Sequence, residues 1–131
     1  MLLGSVAFHV CGLVGLEGLL RWIERHRKKP RSMGYFLVLM LLVANAVLLL
    51  HVVEACGWAY LLMKLGSVDD FHRALLYSLN AITSYGHEQL RLESSWRLLG
   101  AIESMNGVMI FGLTTAFLFS ALRELRPGRG A

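Results

Sequence analysis

Residues 69–86 read DDFHRALLYSLNAITSYG, and the two halves of that stretch obey different rules. Asp69 and Asp70 stand before Phe71, Leu75, Leu76, Leu79 and Ile82, an amphipathic spacing that fits one face of a helix, with acidic residues placed to cap its start. A helix over 69–81 is about 20 Å long at roughly 1.5 Å per residue, well short of a bilayer core of about 30 Å. Thr83, Ser84, Tyr85 and Gly86 then form a run that is poor for helix. A short apolar helix that gives way to irregular backbone is expected to be a re-entrant segment. Such backbone persists at membrane depth only where protein buries it or water lines it, so the stretch implies a pore.

The surrounding composition agrees with a lipid environment. Of 131 residues, 56% are hydrophobic and 17% charged, and mean hydropathy is +0.55, where a soluble domain is nearer half apolar and a quarter charged. The length allows one domain. Three stretches approach the roughly 20 apolar residues of a spanning helix: 1–20, 34–65 and 97–122. The third of these lies beyond the short helix and the second before it. Cys11 and Cys56 both sit in apolar runs, which excludes a disulfide framework or a thiolate metal cluster.

Net charge is +4, yet the basic residues lie beside the apolar runs, a membrane-flank pattern rather than a nucleic-acid surface. Nine of the 13 fall in a loop over 21–33 and a tail over 123–131; the other four, Lys64, Arg73, Arg91 and Arg97, lie between spans two and three. The positive-inside rule then puts loop and tail in the cytoplasm and the N-terminus outside, in the cell (inner) membrane. The first run lacks a basic n-region and a cleavage site, so it is expected to stay attached. Trp22 marks the inner boundary, and Trp58, Tyr60 and Trp96 mark the outer one. Gly12, Gly15 and Gly18 give span one a small-residue stripe for another helix, and Glu17 near its inner end is expected to snorkel. At 32 residues, about 48 Å, span two must tilt or project near Gly57.

From about Leu50 to Leu122 the sequence resembles the two-transmembrane pore-loop superfamily of potassium channels, in its small bacterial branch. Tyr85-Gly86 look like the Tyr-Gly of that family's Thr-Val-Gly-Tyr-Gly-Asp filter. Trp96-Arg97-Leu98-Leu99-Gly100 and Glu103-Ser104-Met105-Asn106-Gly107 resemble the start of its inner helix, and Gly107 and Gly112 match the spacing of its hinge glycine and a second glycine. The resemblance implies an all-α integral membrane protein with three transmembrane helices, a re-entrant pore helix at 69–81 and a filter loop at 82–87, in a tetrameric pore-loop architecture. It implies cavity-lining residues at Ser104, Val108, Phe111, Thr115 and Phe119. Aligned without gaps, Ile82 stands in place of the signature threonine, Thr83 of the aliphatic residue, Ser84 of the first glycine and His87 of the acid. Glycine there allows backbone angles that aim a carbonyl at the ion, and Ser84 carries a Cβ that resists them. Weak discrimination between K+ and Na+ follows.

The candidate residues divide as follows. Ile82, Thr83, Ser84, Tyr85, Gly86 and His87 are either a tetrameric filter or a polar turn between helices. His87 and Glu88 form either a pH-dependent ring at the outer mouth or a solvated loop. Glu103 and Asn106 share a face of an apolar helix; a hydrogen bond supporting the pore helix from behind is preferred over a conducting role. His51 and Glu54 read as a structural pair rather than a metal or relay site, and His9 and Cys11 lack further ligands nearby. No nucleotide motif, triad or strong metal set appears, so no enzyme is expected. No cofactor is expected beyond the permeating K+ or Na+, and the partners are the chain itself as a homotetramer and the lipid bilayer. A rival reading is a dimeric proton-coupled exporter with Glu17 or Glu54 as the coupling carboxylate, which wants four full spans. A third is a non-conducting pore-loop partner subunit.

Overall fold

A computed structural model describes residues 1–28, 30, 32–85 and 92–127. Among these the chain is all-α, with four helices: α1 (Leu2–His26), α2 (Met33–Lys64), α3 (Phe71–Ile82) and α4 (Arg97–Leu125). The helices α1, α2 and α4 are long and apolar enough to cross a membrane, which suggests a multi-pass membrane location. With 12 residues, α3 measures about 18 Å and cannot cross.

Each boundary has a local cause. Beyond residue 20, α1 continues for six residues: Glu17 pairs with Arg21 one turn on at 2.5 Å, and His26 bonds the Trp22 carbonyl at 2.9 Å. Much of the loop expected over 21–33 is therefore helix. The turn to α2 is closed by Arg27, which donates to the Pro30 carbonyl at 2.8 Å and lies 3.5 Å over the Tyr35 ring, while Tyr35 bonds Glu24 at 3.2 Å. Ser32 caps α2 by accepting from the Tyr35 N–H. Asp70 caps α3, accepting from the Arg73 N–H at 2.9 Å, so α3 starts at Phe71, two residues after the expected 69. Ile82, expected to open the filter, is the last residue of α3. Beyond residue 122, α4 runs three residues further, to Leu125.

Two helices close with the same device. After α2, Gly66 is left-handed (φ 69°), and the N–H groups of Gly66 and Ser67 bond back to the carbonyls of Met63 and Leu62. After α3, Ser84 takes the left-handed place (φ 55°), with Ser84 bonding to Ala81 and Tyr85 to Asn80. Glycine fills such a position without steric cost; a serine there holds a conformation disfavoured by about 1 kcal/mol.

Among the buried residues of α4, Gly100, Glu103, Gly107, Ile110 and Thr114 recur every three or four positions, tracing one face of the helix. Against that face and against α2 lies α3: Ala74, Tyr77 and Ala81 pack with Ala59 and Leu62, and Ile82 packs with Ala55, Trp58 and Ile110. Backbone meets backbone at Gly107, where a Cβ would sit 2.6 Å from the Ile82 Cα and 2.7 Å from its carbonyl carbon, atoms that cannot step aside. A Cβ at Gly112 would meet nothing within 4 Å. Gly107→Ala is expected to destabilise the fold by about 1–3 kcal/mol. Gly112→Ala should be neutral or stabilising by up to about 1 kcal/mol, since glycine is unfavourable inside a helix. Thermal melts in detergent check the pair; equal effects would refute the close packing.

Candidate functional site

Two groups of polar residues lie away from the ends of the long helices. The first is the turn at the end of α3. Gly107 is ten residues into α4 from Arg97, so the backbone of Ile82 lies about 15 Å along that helix. Beyond it Thr83, Ser84 and Tyr85 are all exposed, Tyr85 at 84%. The N–H groups of these three residues bond back to the carbonyls of Leu79, Ala81 and Asn80, and the Thr83 hydroxyl also donates to Leu79 at 2.7 Å. With those donors turned into α3, the turn's own backbone polar groups left to face outward are carbonyl oxygens, which only accept. Gly86, His87 and Glu88 lie outside the described residues.

The stripe on α4 expected to line a cavity is open in part. Val108, Thr115 and Phe119 are exposed and Ser104 is half-buried, its hydroxyl bonded to the Gly100 carbonyl. Phe111 is exposed as well, with its ring 4.5 Å from that of His51 on α2. Gly112 is exposed on the same helix.

The second group is a buried seam that joins α1, α2 and α4. His9 of α1 is wholly buried; its Nδ1 lies 3.2 Å from Glu54 Oε2 on α2, and its Nε2 lies 2.9 Å from Thr114 Oγ1 on α4. The His51 ring stands edge-on to His9 with centroids 5.0 Å apart, and its Nδ1 donates to the Val47 carbonyl at 2.9 Å. One turn nearer the start of α1, Asn106 donates to the Ser5 hydroxyl at 2.9 Å. Glu103 is also wholly buried, on the α4 face that meets α3, with Ser78 and Tyr77 as its polar neighbours. Thus Glu103 and Asn106 point different ways: the first behind α3, the second to α1.

His51 and Glu54, expected as a pair, do not bond each other; His9 is the partner of Glu54. The sequence offers His9 only beside Cys11, as a metal site short of ligands, and gives Thr114 no role. The usable signal is that three apolar spans each carry a polar residue on the same face as their buried apolar ones, and such residues inside membranes pair with one another. Glu17 lies on the surface with Arg21. Cys11 is exposed and Cys56 half-buried, and no group of three metal-ligating side chains occurs among the described residues. Comparison of the chain with protein-family models, with curated proteins and with solved structures finds no match.

The geometry makes the buried His9–Glu54 contact and the exposed Glu17–Arg21 pair unequal. Buried polar pairs inside membranes couple by about 0.6 kcal/mol on average and up to about 1.7, whereas exposed pairs contribute little. A double-mutant cycle of His9→Leu and Glu54→Leu is expected to give about 1 kcal/mol or more of coupling. The cycle for Glu17→Ala and Arg21→Ala should lie within measurement error. Equal coupling in the two cycles would mean that His9 and Glu54 do not meet in the folded protein.

Proposed function

We propose that four copies of the chain surround a central path and conduct monovalent cations passively, with the turn after α3 as its narrow part. The observation that carries this reading is the placement of Thr83, Ser84 and Tyr85: exposed, non-helical and about 15 Å along a helix apolar enough to span. Backbone in that position needs protein or water around it, and one chain supplies neither on the exposed side. A closed ring supplies both, because each copy covers its neighbour and the tips enclose water. Four is the number that the resemblance to pore-loop potassium channels implies. In such a ring the C-terminal ends of the four α3 helices bring partial negative charge toward the path, and the turn adds its backbone carbonyl oxygens. Both favour a cation. Nine basic residues on loop and tail against four elsewhere support a cytoplasmic C-terminus.

Ser84 does adopt the left-handed angles that the family's filter glycine allows, so the Cβ expected to resist them does not bar them, and the weaker site rests on Ile82, which brings no hydroxyl to the inner end. Fewer ordered ion sites and weak preference for K+ over Na+ follow. A dimeric exporter wants a fourth full span, and α3 has 12 residues.

Reconstitution into bilayers with potassium on one side and sodium on the other, beside a mass measurement of the particle, tests this. The expected outcome is a tetramer with a cation conductance whose reversal potential lies close to zero. Replacing Ile82→Thr, Thr83→Val, Ser84→Gly and His87→Asp together should move that potential toward the potassium value. A dimer as the sole stable species would overturn the ring. A tetramer that passes no current would leave the chain as a structural pore-loop subunit.

A further inference from the structure

We propose that His9, Glu54 and Thr114 form a proton-binding site inside the helix bundle, and that one proton bound there reverses the hydrogen bond between α1 and α4. The inference does not depend on conduction. It follows from the donor and acceptor inventory of three side chains whose distances are 3.2 Å (His9 Nδ1 to Glu54 Oε2) and 2.9 Å (His9 Nε2 to Thr114 Oγ1). When the pair holds no extra proton, Glu54 is a carboxylate and only accepts, so the single imidazole proton sits on Nδ1. Nε2 then offers a lone pair, and the Thr114 hydroxyl donates to it. When one proton is added, two arrangements reverse the bond: His9 is doubly protonated beside the carboxylate, or a neutral Glu54 carboxyl donates to Nδ1 and the imidazole proton moves to Nε2. In both, Nε2 carries hydrogen and Thr114 must accept. A proton held instead on Glu54 Oε1, with Oε2 still accepting from Nδ1, would leave Nε2 bare, and an unchanged Nε2 reports that outcome.

The consequence falls on α4. A Thr114 hydroxyl that accepts from His9 has its own hydrogen free to donate four residues back, to the Ile110 carbonyl, as Thr115 already does to Phe111 at 2.8 Å and Ser104 to Gly100 at 3.1 Å. Such back-bonding bends helices, and Thr114 lies two residues past Gly112, where an added Cβ would meet nothing within 4 Å. Protonation at α1 and α2 is thereby written into the curvature of α4.

The other groups facing the site leave the assignment to this trio. From α2, His51 is edge-on to His9 but spends its Nδ1 hydrogen on the Val47 carbonyl. From α4, Thr114 is the polar group in contact and Phe111 covers His51. Among the described residues no Cα of α3 comes within 8 Å of one of α1. A groove of about 250 Å³ between α1 and α2 has Ser5, Phe8, Glu54, Gly57 and Trp58 among its lining, and Glu54 Oε1 has no hydrogen-bond partner among the described residues.

Nitrogen NMR of the full chain in lipid nanodiscs, with labelled histidine, reads the reversal directly. The His9 signals are identified by their loss in His9→Gln or, should that variant not fold, by transfer from the Thr114 methyl group. Between about pH 8 and about pH 5, where imidazoles titrate, Nε2 is expected to change from a bare acceptor to an N–H, while Nδ1 stays within hydrogen-bond reach of Glu54. The Ile110 carbonyl shift should follow in the unmodified chain and stay fixed in Thr114→Val. Glu54→Gln should abolish the change or displace it by about one pH unit or more, the effect of removing a charge at hydrogen-bond distance. An Nε2 that keeps one form over the whole range overturns the proposal. So does an identical change in Glu54→Gln, which would show His9 titrating alone.

Discussion

Backbone hydrogen bonds must be satisfied wherever the chain lies, and in hydrocarbon only a helix does this unaided. Every architectural feature of this protein is arranged around one departure from that rule. Three long helices keep their peptide groups to themselves, and the short α3 ends beside Gly107, well inside their length. Its closing turn keeps the N–H groups of Thr83, Ser84 and Tyr85 bonded, at the expense of a left-handed serine. Packing holds the turn in place: Ile82 is locked among Ala55, Trp58 and Ile110, and the missing side chain of Gly107 is what lets the two backbones come so close. The exposed side of the turn is what remains to be covered, and the proposed ring covers it.

The first helix adds a different kind of constraint. Without α1, Glu54 and Thr114 would face the hydrocarbon with no partner between them; His9 joins the two and so ties α2 to α4 from behind. Asn106 and Ser5 make a second tie one turn away. The His9–Glu54–Thr114 seam and the end of α3 thus meet the same face of α4 about two turns apart, on a helix whose polar side chains already lean on their own carbonyls. A bend in α4 would be felt at Gly107, against which the end of α3 rests.

Much of this is legible in the sequence for simple reasons. Long apolar runs announce spans, and the spacing of Phe71, Leu75, Leu79 and Ile82 behind Asp70 announces a short helix, because both patterns are local. Boundaries are less legible: a salt bridge at Glu17–Arg21 and a cap at Asp70 extend or trim helices by a few residues. The seam is least legible. His9 meets a residue 45 positions away and another 105 positions away, and no local period encodes which of several intramembrane polar groups will pair. His51 sits three residues from Glu54 on the same helix and looks the natural partner, yet its Nδ1 is turned to its own backbone at Val47.

The central claim is that the turn after α3 faces water at a symmetry axis. It is tested most directly by a spin label at Ser84→Cys, in a chain with Cys11 and Cys56 replaced by alanine, reconstituted in lipid nanodiscs. Pulsed dipolar spectroscopy should return two distances, the side and the diagonal of a square, and the label should collide with a water-soluble relaxation agent more readily than with oxygen dissolved in lipid. A single distance, or none, together with a label that collides chiefly with lipid-dissolved oxygen, would contradict the account.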